Sequence, residues 1–160
     1  MHSEKSLLIY RIVPAADALH ADGGEEAFES GGRWSISGHL VVYAAGSLAL
    51  AALEALAHLE EPPGKRRFAW IPARIAEGLR MEMCDEPPAG RLARSPRAAT
   101  RRIGSRWLRA GHSPVLAVPS AILPSELNYL LAPQHTDFAR VEVGRPRPFL
   151  FDPRLRPARR

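Results

Sequence analysis

The stretch Leu40–Leu59 constrains this chain more than any other. It is built mostly of Ala, Leu and Val, but Glu54 and His58 interrupt it. Those two polar side chains argue against a membrane span. The segment instead reads as a β-type run, Leu40–Ala44, followed by a core helix. Ser47 is placed to cap that helix, which continues through Leu59, and Pro62-Pro63 closes it.

Other β-type runs are Leu7–Val13, Phe68–Pro72, Val115–Val118, Val141–Val143 and Phe149–Phe151, each bounded by Gly, Pro, Ser or Asp. A second helix is expected after Ser95, with Pro96 in its first position, Ala99, Ile103 and Trp107 on one face, and Gly111 at its end. A weaker helical candidate covers Asp17–Glu29, broken by Gly23-Gly24. These elements follow no regular βαβ rhythm. The expected class is therefore α+β, with mixed short strands and a few helices. At 160 residues, a single domain over 1–160 is expected, with a core at 7–155 and a loose basic tail at 156–160.

Charge narrows the partners without choosing one. Lys and Arg total 22 against 17 Asp and Glu, a net +5, and nearly all the cations are arginine. That balance suits nucleic acid, a nucleotide or an acidic protein. The many Ala, Pro and Gly residues also fit a GC-rich genome, which enriches Arg without any function. The tail from Arg145 to Arg160 lacks the interleaved aromatics of a stacking platform. Cys84 is the only cysteine, which rules out an internal disulfide and a cysteine zinc cluster. Met1–Tyr10 carries no signal-peptide pattern, so the cytoplasm is the expected location. The six histidines show no metal-ligand spacing, and neither a metal nor a cofactor is expected.

No Walker loop, G-x-G-x-x-G, H-E-x-x-H or G-x-S-x-G is present. What remains is a set of polar residues in apolar settings. Glu54, His58 and Glu61 form a stripe that is either the wet side of the helix or a wall presenting a carboxylate to a cleft. A carboxylate suits a reaction in which positive charge grows on a sugar. Arg33 follows Gly31-Gly32, where a backbone without Cβ atoms admits a close ligand and a guanidinium could grip a pyrophosphate. Tyr43 is either a core tyrosine or a flat face for a ring. Ser120 leaves a strand beside Pro119, either as a binding hydroxyl or as a turn cap. Asn128 lies among Leu127, Tyr129 and Leu130, where a buried amide must find partners. The arginines from Arg94 to Arg109 read as a solvated helix face or a partner surface.

Taken in order, these segments resemble the RES domain, named for its Arg, Glu and Ser. The resemblance covers nearly the whole chain. It runs through Tyr10-Arg11, Gly31-Gly32-Arg33-Trp34 with Gly38, Val42-Tyr43-Ala44 and Ala52 to Leu59. It continues through Ile103-Gly104 with Trp107-Leu108, Val118 to Ala121, Asn128 to Leu131, Pro133 with His135, Asp137 and Phe138, and Phe149 to Asp152 with Arg154-Leu155. The resemblance implies the α+β fold of ADP-ribosyltransferases and a bacterial toxin that cleaves NAD to nicotinamide and ADP-ribose, with water or inorganic phosphate as acceptor. It assigns Arg33, Glu54 and Ser120 to catalysis: Arg33 holds the phosphates, Glu54 stabilises the ribosyl cation or orients the acceptor, and Ser120 hydrogen-bonds the substrate. It assigns Arg11, Tyr43, Asn128 and His58 to the substrate pocket, with Arg11 a second phosphate ligand, Tyr43 on the nicotinamide side and His58 supporting Glu54. NAD is then substrate rather than cofactor.

The implied partner is an Xre-type helix-turn-helix antitoxin covering the cleft, with DNA reached only through that antitoxin. No membrane partner is expected, and a homo-oligomer is compatible with the sequence. Ser35, Ala132 and Ser105 depart from residues common in the family and bear on pocket shape, acceptor choice and antitoxin fit. Two rival functions stand beside this one. A protein ADP-ribosyltransferase would make no free ADP-ribose without a target. A basic nucleic-acid-binding module would bind with strong salt dependence and turn over no NAD.

Overall fold

The structure, a computed structural model, describes residues 6–20, 32–84 and 97–155. Eight strands among them join one sheet. They are β1 (Leu7–Pro14), β2 (Val42–Ala45), β3 (Phe68–Ile75), β4 (Met81–Met83), β5 (Val115–Pro119), β6 (Leu127–Leu131), β7 (Val141–Val143) and β8 (Arg147–Phe149), with helices α1 (Leu48–His58) and α2 (Arg97–Ala110). The sheet order is β4-β5-β6-β2-β1-β3-β7, with β8 also pairing β3. Only β4 and β5 run parallel; every other pair is antiparallel. The α+β class is the one expected.

Alternation along the strands divides the core. Ile9, Val42, Ala44, Val115, Ala117, Tyr129 and Leu131 pack together on one face. Val118, Leu116 and Leu130 point to the other, where Trp107 of α2 joins Trp34 and Val41. On that same face α1 buries Leu50 and Ala51 against Ala45, Tyr10, Ile12 and Leu123. Leu50 is fully enclosed, so its truncation to Ala would cost about 2–5 kcal/mol.

The helix signals were legible and the strand signals less so. Ser47 caps α1 as expected, its hydroxyl accepting from the Leu50 amide at 3.1 Å. Gly111 ends α2 at φ +61, a conformation open to residues without a Cβ. Ser95 and Pro96 lie outside the described residues. The weak candidate at Asp17–Glu29 becomes a short 3-10 helix, Ala15–His20, and its remainder also lies outside them. The Phe149–Phe151 run shifts upstream into β8, while buried Phe151 stacks edge-on against both Phe68 and Phe149. β4, with three residues, and β6 carried no strand expectation. β6 is nevertheless internal, pairing with β2 and β5, and its Tyr129, Leu130 and Leu131 are all buried. A strand covered on both faces shows no polar alternation, which is why it read as an undivided apolar stretch.

The sheet has a seam. β1 and β3 match residue for residue from Leu7↔Ile75 to Pro14↔Phe68, and β2 matches β6 along its whole length. Between these two ladders, β1 and β2 share one register position, Tyr10↔Ala45. α1 packs over that junction. No helix among the described residues is long and apolar enough to cross a membrane.

Candidate active site

Glu54 lies on the packed face of α1, four residues after Leu50 and three after Ala51, the helix's two buried residues. It is half-buried, whereas His58 and Glu61 of the same sequence stripe are exposed. The stripe is therefore split: its first member turns inward against the ends of β5 and β6. There Ser120 donates from Oγ to Glu54 Oε1 at 2.7 Å. Asn128 donates from Nδ2 to the same oxygen at 2.6 Å. The carboxylate is gripped through Oε1, while Oε2 takes no hydrogen bond from a described residue.

Of the two sequence readings of Ser120, the turn cap is the one seen. Its hydroxyl oxygen accepts from the amides of Ile122 at 3.1 Å and Leu123 at 3.0 Å, capping the turn after β5. The single hydroxyl hydrogen is then left for Glu54. The side chain is completely buried, so the turn fixes the direction of that donation. Asn128 reaches the site because β6 lies between β5 and β2, opposite Val118 and Ala45. Its Oδ1 is buried without a hydrogen-bond partner. That leaves an acceptor beside the carboxylate for a donor that no described residue supplies.

Tyr43 sits diagonally across from Asn128 on the same face, since its own partner on β6 is Leu130; such diagonal neighbours are about 7–8 Å apart. Its hydroxyl lies 2.6 Å from Ser35 Oγ. Gly32 packs so closely on the ring that a Cβ there would strike the phenol oxygen. Burial raises the Tyr43 phenol above its ordinary value, outweighing the opposing pull of the Ser35 hydroxyl, the nearby backbone and the Arg101 charge. The hydroxyl thus anchors the loop that carries Arg33. Any face offered to a ring comes from the aromatic carbons.

Arg33 is half-buried, and its carbonyl is bound by Thr100 of α2. Arg11 stands at the seam, where its Nη1 donates to the Tyr43 carbonyl at 3.0 Å. It takes the place of a strand neighbour where β1 and β2 separate. Arg11 also lines a cavity of about 200 Å³ with Ile9, Val42, Ile71 and Leu131, on the sheet face away from α1. Glu54, Ser120 and Asn128 do not line it. His58 supports Glu54 only through the main chain: its Nδ1 lies 2.7 Å from the Glu54 carbonyl, at the exposed end of α1. The structure thus brings Glu54, Ser120 and Asn128 together, links Arg11 to Tyr43 and Tyr43 to the Arg33 loop, and leaves His58 at the rim.

Sequence reasoning gave Thr100 no role, read Ser35 only as a departure bearing on pocket shape, and read Arg101 only as part of a solvated or partner-facing helix. These three hold the Tyr43 hydroxyl and the Arg33 loop. The one available signal was Gly104, a glycine in mid-helix. A Cβ there would collide with the Trp34 carbonyl. Among the described residues, no group of three His, Cys, Asp or Glu side chains is placed to hold a metal ion.

A RES domain family model matches residues 8–152. The chain is 35% identical over 153 residues to "Toxin Res" of Yersinia enterocolitica, covering 94% of this chain and all of that protein. It is 34% identical over 152 residues to "Prs ADP-ribosylating toxin" of a Sphingobium species, covering 91% of this chain and 94% of that one. Among solved structures, the M. tuberculosis MbcT–MbcA toxin–antitoxin complex contains a chain of the same fold. The TM-score is 0.74 at 18% identity, covering 91% of this chain and 85% of that one.

Proposed function

The chain belongs to the RES domain family, and from that premise we propose that it is the toxin of a toxin–antitoxin pair that depletes NAD in the cytoplasm. The reaction breaks the bond between nicotinamide and ribose. Nicotinamide leaves with the bonding electron pair, and water or inorganic phosphate supplies the oxygen that takes its place. The products are ADP-ribose with a released proton, or ADP-ribose 1″-phosphate.

The observation that carries this reading is the grip on Glu54 by Ser120 and Asn128 through a single oxygen. Two donors on Oε1 hold the carboxylate in place and leave Oε2 without a hydrogen bond from a described residue, so the negative charge is already positioned when positive charge develops on the ribose. The unpartnered Asn128 Oδ1 offers an acceptor to a hydroxyl or amide of the substrate. Arg33 supplies a guanidinium group for the diphosphate, the Tyr43 ring packs on the nicotinamide side, and Arg11, which faces the cavity across the sheet, braces Tyr43 through its carbonyl. NAD is substrate here, and the reaction needs no cofactor. An Xre-type antitoxin covering this cleft is the partner the reading calls for, with DNA reached through it.

The test is product analysis. Purified protein free of antitoxin is incubated with NAD, with and without phosphate, and products are separated by chromatography. Nicotinamide is expected in both, with ADP-ribose alone in water and its phosphate ester when phosphate is the acceptor. Folded protein that releases no nicotinamide would overturn the reading. The name of the Sphingobium relative favours one alternative, transfer of ADP-ribose to a macromolecule. It predicts nicotinamide release only when a target protein is added.

A further inference from the structure

Three consecutive carbonyls of the loop after residue 31 are turned onto one helix. The Gly32 carbonyl accepts from Arg101 Nε at 3.0 Å. The Arg33 carbonyl accepts from Thr100 Oγ1. The Trp34 carbonyl lies against Gly104, at a point where α2 has no room for a side chain. The opposite edge of the same segment is held as firmly. Gly32 donates to the Ser35 carbonyl at 2.8 Å, and the Ser35 hydroxyl lies 2.6 Å from the Tyr43 hydroxyl. Arg33 therefore projects from a backbone fixed on both sides.

From this arrangement we propose that Thr100 and Arg101 are positioning residues for Arg33, setting where its guanidinium meets the diphosphate of a dinucleotide. The proposal rests on the reading that Arg33 holds those phosphates. Thr100 is fully buried, and its hydroxyl has a single hydrogen. The hydroxyl is placed between two carbonyls, that of Arg33 and that of Arg97 at 3.1 Å, one turn back in its own helix. A buried helical threonine concerned only with its own helix would have no reason to approach a loop 67 residues away in sequence. Arg101, partly exposed, adds a charged donor to the neighbouring carbonyl; charge-assisted bonds of this kind are stronger than neutral ones. Guanidinium-to-phosphate recognition is paired and directional, so a small rotation of the loop weakens substrate binding more than the chemical step.

The test is a double-mutant cycle read by binding. NAD is titrated calorimetrically into Glu54→Gln protein, which keeps the substrate intact. Into that background are placed Thr100→Val, Thr100→Ser and Arg101→Gln, each with and without Arg33→Gln. Thr100→Val and Arg101→Gln are each expected to weaken NAD binding about ten-fold, Thr100→Ser to stay within about two-fold, and both losses to vanish once Arg33 is gone. In protein retaining Glu54, Thr100→Val is expected to raise KM by the same factor with kcat within about two-fold.

Losses of equal size with and without Arg33, or no loss at all, would overturn the proposal. If Thr100→Val fails to fold, Thr100→Ser and Arg101→Gln still decide the matter. If the coupled pattern appears but protein retaining Glu54 releases no nicotinamide, the cleavage reading falls and the positioning role stands. If Glu54→Gln protein binds no NAD, the positioning role falls too.

Discussion

The two ends of the candidate site are held in opposite ways. At the carboxylate end, side chains from α1, the β5 end and β6 meet directly: Glu54, Ser120 and Asn128 share one oxygen. At the arginine end, what is held is mainly backbone: the carbonyls of residues 32–34 lie on α2, with Ser35 tied to the Tyr43 hydroxyl. The first arrangement makes the identity of each side chain matter. The second makes the shape of the supporting surface matter. A change at the carboxylate end should therefore alter chemistry at little cost in stability, whereas one at the arginine end should alter stability and substrate binding together.

The largest expected effect is on chemistry. Glu54→Gln keeps an oxygen for Ser120 and Asn128 but removes the charge, and kcat for nicotinamide release is expected to fall about 10²–10³-fold, with thermal stability nearly unchanged. A variant that lost both together would erase the contrast between the two ends.

Next is Gly104→Ala, at the arginine end. The added methyl strikes the Trp34 carbonyl, and overpacking of this kind costs about 1–3 kcal/mol. Thermal melting should show the loss, and KM should rise as the loop shifts. An unchanged melting temperature would mean that α2 yields easily and does not fix the loop.

Ser120→Ala blurs the contrast instructively. The Ile122 and Leu123 amides lose their acceptor and Glu54 loses a donor. A stability loss of about 1–3 kcal/mol is expected beside the fall in kcat. If kcat fell with no loss of stability, the turn-capping role would be dispensable.

The smallest effect is alkaline. The folded state holds Tyr43 protonated above the ordinary value of 10.0. Above pH 10 the unfolded chain therefore binds fewer protons than the native one, and stability falls as pH rises. Tyr129, raised by burial in the same direction, adds to this. Replacing Tyr43 by Phe should flatten part of that decline in denaturation curves measured from pH 9 to pH 11.

How far the molecule could be read from its sequence follows the same contrast. α1 was legible because a cap, a helical run and two prolines are local signals. The side chains of the carboxylate end were legible as types, for Glu54, Ser120 and Asn128 are polar groups in apolar surroundings. The inward turn of Glu54 was not. A helix apolar nearly all round marks no preferred face, and only the placement of Leu50 and Ala51 on the seam decides which side is covered. β6 was hidden by burial on both faces. The seam was invisible because it is a failure of two strands to pair beyond Tyr10↔Ala45. The clamp on Arg33 was the least legible feature. Bonds to carbonyls carry no residue signature, so Thr100 and Arg101 looked like ordinary positions of an arginine-rich helix.

The most direct test of the central claim is nicotinamide release from NAD by the parent protein beside Glu54→Gln, with folding of both verified by circular dichroism. The account predicts steady release by the parent and a fall of about 10²–10³-fold in the variant at equal folded content. Equal rates in the two proteins would contradict it, because the carboxylate held by Ser120 and Asn128 would then take no part in breaking the bond.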